Sequence, residues 1–277
     1  MSVPTPSWTK ITEGTSGELL LAVDFPATGR LQADFSELAA RLTGGHAFWR
    51  SVVAPAEIGV TDHDAYLQPW LDDVRAAGQP VRAVFGFCVG AVHAALLAEK
   101  IGELQGRAPA LILFDPELVD AGTVYWQFAM FVESLHQFLA AEEIEELREA
   151  GREAHERITD PGELALVLIE RFRAAIALAC ERTGLDEEFV VEVVEAFTSF
   201  MAYLAIADSA EPLPRWARAT ALSSSSAENG LSRVRNDILH RDGPFVAEEL
   251  PFPGLVHADL LRGEDVAKTV DDLLAAH

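Results

Sequence analysis

Val81-Arg82-Ala83-Val84-Phe85-Gly86-Phe87-Cys88-Val89-Gly90-Ala91 is the stretch whose reading decides the fold. Its first half is rich in β-branched and aromatic residues, the composition of a strand. Its second half is Gly-Phe-Cys-Val-Gly, and an alanine-rich helical stretch from Ala91 to Lys100 follows at once. A strand that turns so sharply into a helix throws the middle residue of the turn into a strained, exposed position. Glycines flank it because a Cβ at either place would meet the neighbouring strand or helix. The residue at the middle of this turn is Cys88. The helix beginning beside it points its N-terminus at the sulfur, which favours the thiolate. Gly-x-Cys-x-Gly alone recurs by chance, and an isolated cysteine is more often a small buried hydrophobe. The strand before it and the small-residue helix after it favour a nucleophile held in the turn.

The chain has 277 residues, 49% of them hydrophobic. That suffices for one large α/β domain, or one domain with an insertion. No segment is read as approaching the roughly 20 apolar residues that span a bilayer. Met1 to Glu13 holds one Lys, two Pro and no apolar core, so no secretory signal is expected. Cys88 and Cys180 make no disulfide framework, and a cytoplasmic, reducing location is the expectation. The net charge of −23 repels nucleic acid and anionic membranes, so neither is expected as a partner. One segment runs against that charge. Pro212 to Arg241 holds Arg215, Arg218, Arg233, Arg235 and Arg241 against Glu228 and Asp237. Such an island could dock an anionic partner or a phosphate, or be a solvated loop.

Glu18 to Asp24 reads as a buried strand, broken by Phe25-Pro-Ala-Thr-Gly29. Ala33 to Leu42 has helical spacing, and Ala47 to Ala54 is a second strand. Asp62 to Ala77 is a helix with Tyr66, Leu67, Trp70, Leu71 and Val74 on one face. The elbow strand and helix follow, then a fourth strand from Ala108 to Phe114, ending in Asp115-Pro116. This β-α rhythm predicts an α/β fold, a mostly parallel sheet with helices on both faces. From about 123 to 210 the strand signal stops, and helices are expected over about 123–140, 142–158, 162–183 and 187–208. The reading is a single domain, 1–277, with this all-helical insertion as a lid over the active site. Its aromatic residues could line an acyl pocket, although any one of them more readily holds helices together. After Pro212-Leu-Pro214, strands are expected over Trp216–Leu222 and Pro244–Leu250, with Ser223–Ser226 a loop. A last helix runs from Asp265 to Ala276.

A thiol nucleophile needs a base nearby and a carboxylate to orient that base. Asp115 ends the strand after the elbow. His257 lies in the loop before the last helix. The order Cys88, Asp115, His257 is that of nucleophile, acid and base in α/β-hydrolases. Glu228 competes for the acid and His240 for the base. An oxyanion hole would use the backbone N–H of Val89 and, since Pro26 has none, that of Ala27. Cys180, in Ala-Ile-Ala-Leu-Ala-Cys, reads as helix packing. No cluster has metal-ligand spacing, and no phosphate loop or dinucleotide fingerprint occurs.

Four stretches resemble the thioesterases of nonribosomal peptide and polyketide assembly lines: Phe25–Gly29, Gly86–Ala91, Leu111-Ile-Leu-Phe-Asp-Pro116, and Gly254-Leu-Val-His-Ala-Asp-Leu-Leu-Arg-Gly263. The resemblance covers nearly the whole chain. It implies an α/β-hydrolase fold with a helical lid and an acid from the strand after the elbow, which agrees with Asp115. Cys88 departs from the Ser of most members and resembles a minority of stand-alone transferases that shuttle acyl or aminoacyl groups. Dienelactone hydrolases share a Gly-x-Cys-x-Gly elbow but take their acid from a later strand and lack the long insertion.

The resemblance implies an acyl or peptidyl carrier protein as partner, with the substrate carried on its phosphopantetheine and no cofactor bound to this chain. The acceptor is a small molecule or a second carrier. Moving an acyl group from one thiol to another keeps its activation, so Cys88 suits transfer. The first expectation is therefore a carrier-dependent acyltransferase with Cys88, His257 and Asp115 as its triad. A stand-alone hydrolase of acyl thioesters is the alternative, and an idle acyl-carrier binding protein the third. Arg215, Arg218, Arg233 and Arg235 are nominated for carrier or phosphopantetheine docking.

Overall fold

The computed structural model describes residues 7–25, 32–53, 63–133, 135–136, 138–183 and 187–277. In chain order they form β1 (Trp8–Thr12), β2 (Leu19–Val23), α1 (Phe35–Ala39), β3 (Ala47–Ser51), α2 (His63–Ala77), β4 (Val81–Phe87), α3 (Gly90–Gln105) and β5 (Ala110–Phe114). Helices alone follow: α4 (Ala121–Glu133), α5 (Ala141–His155), α6 (Pro161–Thr183) and α7 (Glu187–Asp208). The chain then forms α8 (Leu213–Trp216), β6 (Thr220–Ser224), α9 (Gly230–Arg233), β7 (Glu248–Phe252) and α10 (Glu264–Ala276). A π-helical turn, Val234–Ile238, continues α9, and a 3-10 turn, His257–Arg262, precedes α10.

These elements fall into two compact units, one of Met1–Val52, Asp64–Leu118 and Glu211–His277, the other of Val53–His63 and Val119–Ala210. The first holds a seven-stranded sheet in the order β1-β3-β2-β4-β5-β6-β7. Every pairing is parallel except β1 with β3. The apolar runs in β2, β4 and β5 are those of strands covered on both faces, because alternate side chains must both find apolar neighbours. On one face Phe48, Phe85 and Phe114 meet Phe35 of α1 and Val266, Val270 and Leu274 of α10. The Phe35 and Phe85 rings stack at 6.3 Å, and Phe114 meets Phe35 edge-on at 5.6 Å. On the other face α3 lies close, using small residues. A Cβ on Gly86 would stand 2.5 Å from the Ala91 Cα and 2.8 Å from the Ala94 Cβ. The mostly parallel sheet with helices on both faces is the one expected from the sequence.

In the second unit the core is built of rings. Phe172 of α6 stacks on Phe197 of α7 at 4.2 Å, and Phe131 of α4 meets both, at 5.5 and 5.0 Å. Phe128 lies 6.0 Å from Phe197. Several of the aromatics noted in the sequence therefore hold these helices together. The sequence reading found no stretch of membrane-spanning length, and α7 corrects it. Val190–Asp208 is 19 residues with mean hydropathy 1.7, long and apolar enough to cross a bilayer by length and composition. Glu192 and Glu195 break up the run in the sequence. Phe197, Met201, Tyr203 and Leu204 of this helix are buried within the protein.

One strand was missed and two assignments shift. β1 has no apolar alternation, since it is an antiparallel edge strand with only Trp8 buried. Trp216 closes the short helix α8 instead of starting a strand, and its indole N–H donates to the Ala91 carbonyl at 3.2 Å. β7 starts later than expected and runs through Pro251, past the expected end at Leu250. Proline is tolerated there because β7 is an edge strand.

Candidate active site

β4 and β5 pair in parallel with Phe87 opposite Phe114, so Cys88 and Asp115 emerge side by side at the same end of the sheet. Both have left-handed backbones, φ +53° at Cys88 and +43° at Asp115. A non-glycine residue holds such a conformation only where its surroundings fix it. Here they do. The Cys88 N–H donates to the Phe114 carbonyl (3.0 Å), and the Cys88 carbonyl accepts from the N–H groups of Ala91 (3.1 Å) and Glu117 (3.2 Å). The Asp115 N–H donates to the Leu222 carbonyl of β6 at 3.0 Å. Cys88 is partly exposed, as the middle residue of an elbow should be.

The His257 ring is buried and its Nδ1 lies 2.8 Å from Asp115 Oδ2. A carboxylate accepts, so Nδ1 carries the proton and Nε2 keeps its lone pair, the tautomer a general base needs. Phe87 stacks on the imidazole at 4.6 Å with an interplanar angle of 20°. Asp115 Oδ1 accepts from the Ser224 N–H at 2.7 Å. The His257 N–H donates to Ser226 Oγ at 2.9 Å, and the Ser225 N–H and Oγ both donate to the Leu255 carbonyl at 2.8 Å. The serine run, read from the sequence as a plain loop, is thus the platform on which acid and base are set. Gly230 closes against Asp115 from the other side. It has φ +59°, and a Cβ there would stand 2.9 Å from Asp115 Oδ1. Glu228 and His240, the rivals for acid and base, are exposed.

Sequence reasoning missed Glu117. It is buried, and its Oε2 accepts from Cys88 Sγ at 3.3 Å. Its Oε1 accepts from Arg233 Nη1 at 2.5 Å. Asp-Pro-Glu after a strand carries no motif, and only the fold brings α9 alongside it.

Val89 is the N-cap of α3 and is buried. Ala27, nominated for the oxyanion hole, lies outside the described residues. The nominated docking arginines do not form a free cationic face. Arg215 pairs with Glu99, Arg233 with Glu117 and Arg235 with Glu249, while Arg218 is exposed. Among the described residues no group of three or more His, Cys, Asp or Glu side chains is placed to hold a metal ion.

No family model matches the chain, and no curated protein matches it. Solved structures do. The Vlm2 thioesterase domain with genetically encoded 2,3-diaminopropionic acid, bound with a dodecadepsipeptide, is 17% identical with a TM-score of 0.50, covering 99% of this chain and 98% of that one. The NocB thioesterase domain from the nocardicin cluster is 17% identical with a TM-score of 0.53, covering 98% and 100%. The four-domain nonribosomal peptide synthetase AB3403, bound to AMP and glycine, is 13% identical with a TM-score of 0.55, covering 96% of this chain and 20% of that one. At such identities the likeness is one of fold: the chain has the α/β-hydrolase architecture of these thioesterase domains.

Proposed function

We propose that this chain is an acyltransferase acting on carrier-protein thioesters, with Cys88 as nucleophile, His257 as base and Asp115 as the group that orients His257. The observation that carries the reading is the 2.8 Å pairing of His257 Nδ1 with Asp115 Oδ2, one residue beyond the strand that neighbours the elbow. The Cys88 proton passes to His257 Nε2 as the sulfur bonds to the thioester carbonyl carbon. The backbone N–H groups of Val89 and Ala27 hold the oxyanion. Collapse breaks the bond to the phosphopantetheine sulfur, which takes the proton from His257. A second thiol, amine or alcohol then gives its proton to His257 and bonds to the acyl carbon, and Cys88 is released as a thiol, taking that proton from His257. The reaction as proposed needs no cofactor on this chain. Docking through the basic segment forms no part of it, since most of those arginines already hold in-chain partners.

Hydrolysis is the second reading, favoured by the thioesterase names of the neighbours in fold. Water would then be the acceptor at the same residues. Intact-protein mass after mixing with acyl-phosphopantetheinyl carriers, wild type beside Cys88→Ala, separates the two. A gain of one acyl group that lasts in water and is absent from the variant is expected for transfer. Free acid with no lasting adduct would replace transfer by hydrolysis, and neither product with any carrier would overturn the thioester reading.

A further inference from the structure

We infer that Glu117, anchored by Arg233, is a positioning residue that holds Cys88 as a neutral thiol between turnovers. The inference rests on the acyl-thioester reading in that it says how its nucleophile waits. The Glu117 backbone is tied to the elbow, its N–H donating to the Cys88 carbonyl at 3.2 Å. Glu117 is 5% exposed as a residue and its side chain 7%. A buried carboxylate needs a countercharge, and Arg233, itself mostly buried, supplies it at Oε1. That leaves Oε2 to accept from the thiol at 3.3 Å.

A carboxylate already paired with a guanidinium accepts this hydrogen bond from the thiol without taking its proton. A negative charge so close disfavours the thiolate. The other groups around the elbow do not reverse that preference. Arg233, from α9, is held by Glu117 itself. His257, from the 3-10 turn, is paired with the anionic Asp115 that follows β5. The first turn of α3 carries no acidic side chain, and His93 within α3 is buried against the rings of Tyr66 and Trp70. Among the described residues the α3 N-terminus favours the thiolate, which was the influence legible in the sequence. At rest the proton therefore stays on sulfur, pointing at Glu117. When the thioester carbonyl arrives, the S–H bond turns to His257 Nε2 and the proton leaves with bond formation, as above. Glu117 keeps its charge and its arginine throughout. A thiol that waits protonated also resists oxidation, which needs thiolate character.

The test uses no acyl substrate. Iodoacetamide labelling of Cys88, read by peptide mass spectrometry so that Cys180 does not interfere, is followed against pH in wild type, Glu117→Gln and Glu117→Asp. In Glu117→Gln the pH of half-maximal labelling should fall by about one unit, with labelling near neutral pH up to roughly tenfold faster. Glu117→Asp, which keeps the charge but draws it back, should fall less. Superposable profiles overturn the inference. Should the variants fold poorly, the infrared S–H band of the wild type at neutral pH, taken as a difference from Cys88→Ala, decides on the native chain. A band is expected, and its absence means a resting thiolate and overturns the inference. Failure of acyl transfer with every carrier would sink the proposed function and leave both readouts standing.

Discussion

Asp115→Asn keeps the shape of the acid and removes its charge. The amide would no longer hold the His257 Nδ1 proton in place, and the base could turn to the wrong tautomer. We expect kcat/KM with a carrier-bound acyl thioester to fall by roughly 10³- to 10⁴-fold with little change in urea midpoint. A loss under about tenfold in that assay would remove Asp115 from its role. Ser226→Ala deletes the acceptor of the His257 N–H and should cost about 1 kcal/mol in urea denaturation. An unchanged midpoint would mean that water replaces the hydroxyl. Cys88, Asp115 and His257 were legible because each sits at a strand end or in a loop whose local pattern announces it. Glu117, Ser224, Ser226 and Gly230 were not. Each acts on a residue distant in sequence, as Ser224 does on Asp115, 109 positions away.

Whole elements were read best where their packing is local. Three of the four helices of the 119–210 stretch fall close to their expected bounds, because each repeats its apolar residues over several turns, while α4 ends at Glu133, short of the expected 140. β6 and β7 were misplaced by a few residues because their ends are set by neighbours: Leu222 lies opposite Phe114, and Phe252 opposite Ser224. At the junction of β4 and α3, Gly86→Ala forces a Cβ into the Ala91 backbone at 2.5 Å. The cost should be about 1–3 kcal/mol in urea denaturation, with altered labelling of Cys88. A midpoint equal to wild type would show that α3 can withdraw freely. At the end of α7, desolvation first, and the charges of Asp160 and Asp120 second, push the Asp208 carboxyl up. The native chain then holds this proton more tightly than the unfolded one, so stability falls as pH rises through the carboxylate range. Asp208→Asn should raise Tm at pH 7 and leave it unchanged at about pH 3, below the ordinary Asp value of about 3.9. Equal effects at both pH values would refute this.

On the scale of the molecule, the net charge of −23 sets how stability answers to salt. Self-repulsion among excess carboxylates opposes compaction. Raising NaCl from about 0.01 M to about 1 M shrinks the screening length from about 30 Å to about 3 Å. Tm should therefore rise across that range. A fall would mean that surface ion pairs such as Arg152 with Glu149 and Glu156 outweigh the repulsion. The α/β class was legible because the β-α rhythm and continuous apolar strands speak for a parallel sheet, whereas the edge strands carried no such signal. The rim at β7 has one more consequence. Pro251 interrupts its outer row of amide hydrogens, and the exposed Glu248 lies on the same strand. A passing β-segment would find a missing rung and a like charge on an acidic chain, so this border is a poor template for recruitment into fibres. The proline at which the expected strand stopped short is the same residue that guards against runaway self-addition.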